Sequence, residues 1–229
     1  MVEEHTNKRT RVSTEQRQSE ILEAAKQVFA ERGYQVADVQ TIAERAGVGK
    51  GTVYRHFPTK EILFKQALTW QLDILRKRVD EALTNHQQPL VQMKEIMRAY
   101  FRFYDEHPET IELFVHERAE FGHEETPLYF ARMHEQTEQW IPFFESLRAV
   151  VPNCSLTIEQ MMQLCGELMH GAVYLCMAVV PRKRVQDRLE QVYRAYIHSL
   201  CECPNVNQLL QHYNLQSPSV FCSYGENNP

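Results

Sequence analysis

Lys50, Thr52, Arg55 and His56 share the outer side of one short stretch, while Val53 and Phe57 fall on the opposite side at helical spacing. An ammonium, a hydroxyl, a guanidinium and an imidazole on one exposed helical face suit duplex DNA. Cations meet phosphate oxygens, and a guanidinium can grip a guanine edge with two hydrogen bonds. No nucleophile–base pair and no glycosidase-like pair of acids accompanies them, so the spacing points to binding and away from catalysis.

The residues before this stretch would position it. Asp38 is a good N-cap, and Val39, Ile42, Ala43 and Ala46 then repeat at helical spacing to give a narrow apolar face. Ala43 is small where a second helix must cross closely. Gly47 follows at the point where a helix ends best on a left-handed residue. Residues 38–57 (DVQTIAERAGVGKGTVYRHF) therefore read as a helix-turn-helix whose second helix enters the major groove. AGVGKGT mimics a nucleotide-binding loop, but Glu44 stands where that motif needs its first Gly and Gly51 where it needs Ser or Thr.

The run Thr41-Ile42-Ala43, Ala46-Gly47-Val48, Gly51-Thr52-Val53-Tyr54 and His56-Phe57, followed by Lys60-Glu61, resembles the signature of the TetR family of bacterial transcriptional regulators. Ile21, Leu22, Ala24, Ala25, Phe29 and Gly33-Tyr34 are similar to that family's first helix and its exit. The likeness covers residues 17–64 and implies DNA contacts from Lys50, Gly51, Thr52, Tyr54, Arg55 and His56. Gln40 and Thr41 would add to them from the preceding helix and Lys60 from the next. Family members often carry Ser at the position of Gly49, which can still cap the helix but has no hydroxyl for a phosphate. The implied function is a homodimeric regulator of transcription, a repressor of a palindromic operator released by a small effector. No enzymatic activity and no cofactor are expected.

Composition fits this reading. The 229 residues carry a net charge of −5, but residues 1–60 have net +2 and residues 61–229 net −7, a basic reading end on an acidic body. With 43% hydrophobic residues, only 8 Gly and no sustained strand alternation, the chain is expected to be all-α. The expected organisation is a flexible arm at 1–13 bearing Lys8, Arg9 and Arg11, a DNA-binding domain at 14–60, a ligand-binding and dimerisation domain at 61–203, and a polar tail at 204–229. Helices are expected at about 14–32, 59–84, 89–106, 108–119, 126–149, 157–180 and 183–202, with a short one near Val206–Tyr213. The start lacks a signal peptide, and the most apolar run, Leu168 to Val180, is 13 residues long, so no membrane span and a cytoplasmic location are expected.

Residues 157–180 are apolar nearly all round and 183–202 carry the stripe Leu189, Val192, Tyr193, Tyr196, Ile197 and Leu200. These two segments are assigned to a dimer interface, with Gly166, Gly171, Ala172 and Ala178 permitting close approach. A ligand chamber is assigned to Trp70, Tyr100, Tyr104, Phe114, Phe121, Tyr129, Met133, Trp140, Met162, Cys165, Met169, His170 and Tyr174, with Phe103 and Phe144 as further candidates. Together they suit a sizeable, mainly apolar molecule with few polar contacts. Six cysteines match no zinc pattern and no metal is expected, although Cys201 and Cys203 leave open a thiol- or metal-sensing regulator of the same fold. The Glu-x-x-His pairs Glu120/His123 and Glu167/His170 leave a metal-binding helical enzyme as a remote alternative.

Overall fold

The computed structural model describes residues 13–84, 88–122, 125–135, 137–201 and 211, and among them every regular element is helical. The helices are α1 (Thr14–Val36), α2 (Val39–Arg45), α3 (Lys50–His56), α4 (Lys60–Thr84), α5 (Pro89–Glu106), α6 (Glu109–Phe121), α7 (Leu128–Glu135), α8 (Thr137–Val150), α9 (Ile158–Ala178) and α10 (Leu189–Leu200). A 3₁₀ turn, Val185–Arg188, precedes α10. Two compact units result, one comprising the chain up to Leu72 with Glu112–Leu128, the other Asp73–Ile111 with the chain from Tyr129 onward.

In the first unit, α1 starts at Ser13, whose hydroxyl accepts a hydrogen bond from the Gln16 N–H at 3.0 Å. It buries Ile21, Leu22, Ala24, Ala25, Val28 and Phe29. The helical course breaks at Gly33, whose φ of 75° and ψ of 165° suit only a residue without Cβ. This unit runs past the expected boundary at residue 60 because Leu63, Phe64, Ala67 and Leu68 of α4 are buried. It also takes the end of α6, where Phe121 packs edge-on against Tyr34 with ring centroids 5.1 Å apart and lies 5.9 Å from Phe64. Charged groups reinforce that packing. Lys65 joins Glu61 and Glu125, each at 2.8 Å, and Gln35 donates to Glu120 at 2.5 Å.

In the second unit α5 buries Met93, Ile96, Met97, Tyr100, Phe101, Phe103 and Tyr104, and packs against α8, α9 and α10. Two tyrosines of α10 satisfy their hydroxyls internally, Tyr193 donating to the Leu90 carbonyl and Tyr196 to the Met161 carbonyl, both at 3.0 Å. Residues 128–135 and 137–150 are helical as α7 and α8, and residue 136 between them lies outside the described residues. Two expected helices differ. The helix expected to reach 180 stops at Ala178, where Val179 turns extended with φ −90° and ψ 153°, two residues before Pro181. The helix expected from 183 opens as the 3₁₀ turn because Asp105 of α5 accepts from the Val185 and Gln186 N–H groups, at 2.7 and 3.1 Å. The helix expected near Val206–Tyr213 and the tail lie outside the described residues, save residue 211.

The stripe of α10 assigned to a dimer is instead core. Leu189, Val192, Tyr193, Tyr196, Ile197 and Leu200 are all buried within the one chain, because α5 and α9 already cover that side. Gln191, Ala195, His198 and Ser199 remain exposed on α10. On α9 the exposed positions include Gln163, Glu167, Tyr174, Leu175 and Ala178, polar toward its start and apolar toward its end. Among the described residues no helix is long and apolar enough to cross a membrane.

Candidate nucleic-acid interface

Local chemistry fixes the helix pair. The Asp38 carboxylate accepts from the Gln40 N–H at 2.8 Å and so caps α2. That bond, helped by Lys50 nearby, holds the pKa of Asp38 below the usual carboxylate range. The α2–α3 corner closes with paired bonds from Val48 N–H to the Ala43 carbonyl (2.9 Å) and from Gly47 N–H to the Glu44 carbonyl (3.1 Å). This is the Schellman arrangement, and Gly47 supplies its left-handed residue with φ of 65°. Gly49 caps α3 through its backbone alone, its carbonyl accepting from the Thr52 N–H at 2.8 Å.

A helix of seven residues is unstable by itself, so α3 depends on what it buries. Val53 is completely buried and Phe57 is 5% exposed, each contributing on the order of 1.5–3 kcal/mol of apolar burial. The opposite face is open: Lys50, Gly51, Tyr54 and Arg55 are exposed, and Thr52 and His56 are partly so. Tyr54 keeps 40% of its surface exposed. Gln40 on α2 is exposed and bonds Glu44 at 2.8 Å, while Thr41 accepts from Arg32 at 3.3 Å. Lys50 rests 3.4 Å from Asp38. Lys60 is more committed than its resemblance suggests. Its ammonium donates to the Gln35 carbonyl at 3.0 Å and lies 4.9 Å above the Tyr34 ring, fastening the exit of α1 to the start of α4. Sequence reasoning missed that clamp; its only local signal is the Gly33-Tyr34 pair.

The residues assigned to a ligand chamber divide between the units. Trp70, Phe114 and Phe121 fall in the first, and Phe121 is spent on Tyr34 and Phe64 because the end of α6 packs there. Within the second, Tyr100, Tyr104, Tyr129 and His170 come together. The Tyr100 and Tyr129 hydroxyls are 2.9 Å apart, and Tyr100 lies 3.5 Å from His170 Nδ1. Cys165 is buried beside Met93, its sulfur 3.9 Å from the thioether, and burial pushes its thiol up to about 12. Trp140, Met162 and Met169 are partly exposed, whereas Phe103 and Phe144 are buried core. Tyr174 is 51% exposed, so it belongs to the outer face of α9 and lines nothing internal. The Met133 side chain lies outside the described residues, as do His123, Cys203 and Cys222. Glu167 accepts from Gln163 at 2.8 Å. Among the described residues no group of three or more His, Cys, Asp or Glu is placed to hold a metal.

Residues 21–67 match the profile of bacterial regulatory proteins, tetR family. The activator FasR of Mycolicibacterium smegmatis is 34% identical over 95 residues, which are 42% of this chain and 43% of that protein. The repressor KstR2 of Mycobacterium tuberculosis is 29% identical over 126 residues, 55% of this chain and 63% of that one. The chain thus spans about half the length of the curated relatives it matches. The fold extends further than the sequence likeness. The fatty acid degradation regulator FadR from Bacillus halodurans superimposes with a TM-score of 0.69 at 16% identity, covering 79% of this chain and 94% of that one. The capped helix pair thus lies inside the segment that matches the tetR family of bacterial regulatory proteins, and the helical architecture of the described residues around it is the fold of the superimposed regulator.

Proposed function

We propose that the protein is a sequence-specific DNA-binding regulator of transcription that works as a homodimer, a repressor released from its operator by a small, mainly apolar effector. The observation that carries this reading is α3. Val53 and Phe57 anchor one side while Lys50, Thr52, Tyr54, Arg55 and His56 stand on the other, with Gln40, Thr41 and Lys60 at its edges. Two copies would place their α3 helices in successive major grooves, about 35 Å apart, on a palindromic site. The similar proteins include one named a repressor, KstR2, and one named an activator, FasR.

The dimer would form through α9 and α10, using the apolar end of α9 around Gly171, Tyr174, Leu175 and Ala178 and the exposed side of α10. An exposed apolar run of this kind on a helix fits a second copy. The effector would occupy the helical body around α5, α7 and α9. Its arrival would pivot α4, which contributes its first half to one compact unit and its second half to the other, and so change the spacing of the two reading heads. A dimer with altered spacing cannot engage both half-sites.

The test is binding to fragments selected from the source genome. Lys50→Ala with Arg55→Ala should abolish the shifted band in a gel-shift assay while the dimer mass stays unchanged. Undiminished binding by that double variant would remove α3 as the reader.

A further inference from the structure

Three phenols and one imidazole meet inside an otherwise apolar part of the second unit. Tyr104 and Tyr100 lie one helical turn apart on α5 with ring centroids 5.1 Å apart, Tyr129 comes from α7, and His170 comes from α9 with its ring 4.8 Å from that of Tyr129. Tyr100 is 5% exposed, Tyr129 7% and Tyr104 not at all. Aromatic surface surrounds them. Phe103 stands edge-on to Tyr104 at 5.1 Å and Phe101 edge-on to Tyr100 at 6.1 Å. The cluster reaches the exterior at one edge, where Phe130 is 48% exposed and lies 6.2 Å from the partly exposed His170.

Proton accounting leaves this cluster short of one acceptor. Tyr100 lies within reach of both the Tyr129 hydroxyl and His170 Nδ1, so a chain of bonds links those three groups. The Tyr104 hydroxyl is buried and, although the Tyr100 hydroxyl is near enough to influence its proton, makes no hydrogen bond of good geometry. A buried hydroxyl without a well-placed partner destabilises the fold, and phenylalanine would fill the same space without that cost. Retaining the hydroxyl there is the mark of a site that trades stability for recognition. Burial drives Tyr100 and Tyr104 well above the ordinary phenol range and Tyr129 up to about 12, and drives His170 below the ordinary imidazole range, so all four groups are neutral at neutral pH. A carboxylate placed among them would lose its hydration and find only neutral donors in return.

We infer that the Tyr104 hydroxyl, beside the hydrogen-bonded Tyr100–Tyr129–His170 chain, is the polar anchor of the effector site and takes an uncharged, largely apolar molecule through one carbonyl or hydroxyl oxygen. This rests on the effector-responsive reading above and adds the chemistry of the ligand to it. Tyr104 supplies the donor, the oxygen of the ligand supplies the missing acceptor, and the surrounding rings cover its apolar body. The exposed edge at Phe130 is the side of entry.

The test uses the full chain without DNA and three probes of nearly equal shape: 2-acetylnaphthalene, 2-ethylnaphthalene and 2-naphthoate. Binding is read by calorimetry and by the thermal midpoint at neutral pH. The ketone should bind about tenfold more tightly than the hydrocarbon, and the acid should be at least as weak as the hydrocarbon. Tyr104→Phe should keep or raise the midpoint of the free protein, lower the affinity for the ketone about tenfold, and leave the hydrocarbon unaffected. Equal affinity for ketone and acid, an unchanged ketone affinity in Tyr104→Phe, or no shift of the midpoint by the ketone overturns the assignment. Because no DNA is present, a protein that discriminates among the probes but ignores every genomic fragment would instead defeat the regulatory reading alone.

Discussion

Gly33 controls how α1 hands over to the helix pair, and replacing it isolates the backbone contribution to that geometry. At φ 75° and ψ 165° the residue sits in a region essentially reserved for glycine. A Cβ there would also come 3.2 Å from Cε1 of His116 on α6. The conformational cost of Gly33→Ala is on the order of 1–3 kcal/mol. The imidazole can yield by a few tenths of an ångström, so sterics should add little. For a chain of this length about 2 kcal/mol lowers the melting temperature by roughly 4–8 °C. Calorimetry on Gly33→Ala, His116→Ala and the double variant separates the two causes. The loss should persist in the double variant, because removing the ring leaves φ unchanged. Operator affinity should fall with it, since the Ala37 N–H bonds back to the Gly33 carbonyl at 3.2 Å and sets the approach to Asp38. Melting of Gly33→Ala at the wild-type temperature, or full recovery in the double variant, would refute the backbone explanation.

Glu117 of α6 is buried, accepts the Leu128 N–H at 2.9 Å through one oxygen and leaves the other without a partner. Burial raises its pKa, so the folded state favours the protonated form. Its favourable contribution is complete below the ordinary carboxyl value of 4.5 and is lost as pH rises through the raised folded value. Wild type should therefore lose melting temperature relative to Glu117→Gln between acidic and neutral pH; parallel curves would rule this out. Gly171 has no atom within 4 Å of where a Cβ would stand, so Gly171→Trp should leave each subunit folded by circular dichroism. Light scattering should nevertheless report a smaller mass than for wild type, and an unaltered mass would take the dimer face away from α9.

The helix pair was legible because its determinants are neighbours in sequence. Asp38 caps the helix that begins at the next residue, and Gly47 ends it within the same corner. Core faces were legible too, since 3.6-residue periodicity marks which side of a helix is buried. Periodicity does not say against what. The α10 stripe is equally compatible with a second subunit and with α5, and only the tertiary packing assigns it to α5 and α9. Phe121 joined the first unit through Tyr34, a contact between distant parts of the chain that no local pattern marks. The gathering of Tyr100, Tyr104, Tyr129 and His170 was visible only as a loose set of aromatic and polar residues, because three different helices supply it. Tyr174 was misread for a related reason: it lies four positions beyond His170, yet the end of α9 leaves it uncovered.

Salt titration of binding to a genome-selected palindromic fragment probes most directly whether α3 lies in duplex DNA. Lys50, Arg55 and Lys60 from two subunits would neutralise about six phosphates, giving log affinity against log salt a slope of about −5. Lys50→Ala should make that slope shallower by about 2, one contact per subunit. A flat dependence, or a slope untouched by Lys50→Ala, would mean that this face does not meet the phosphates.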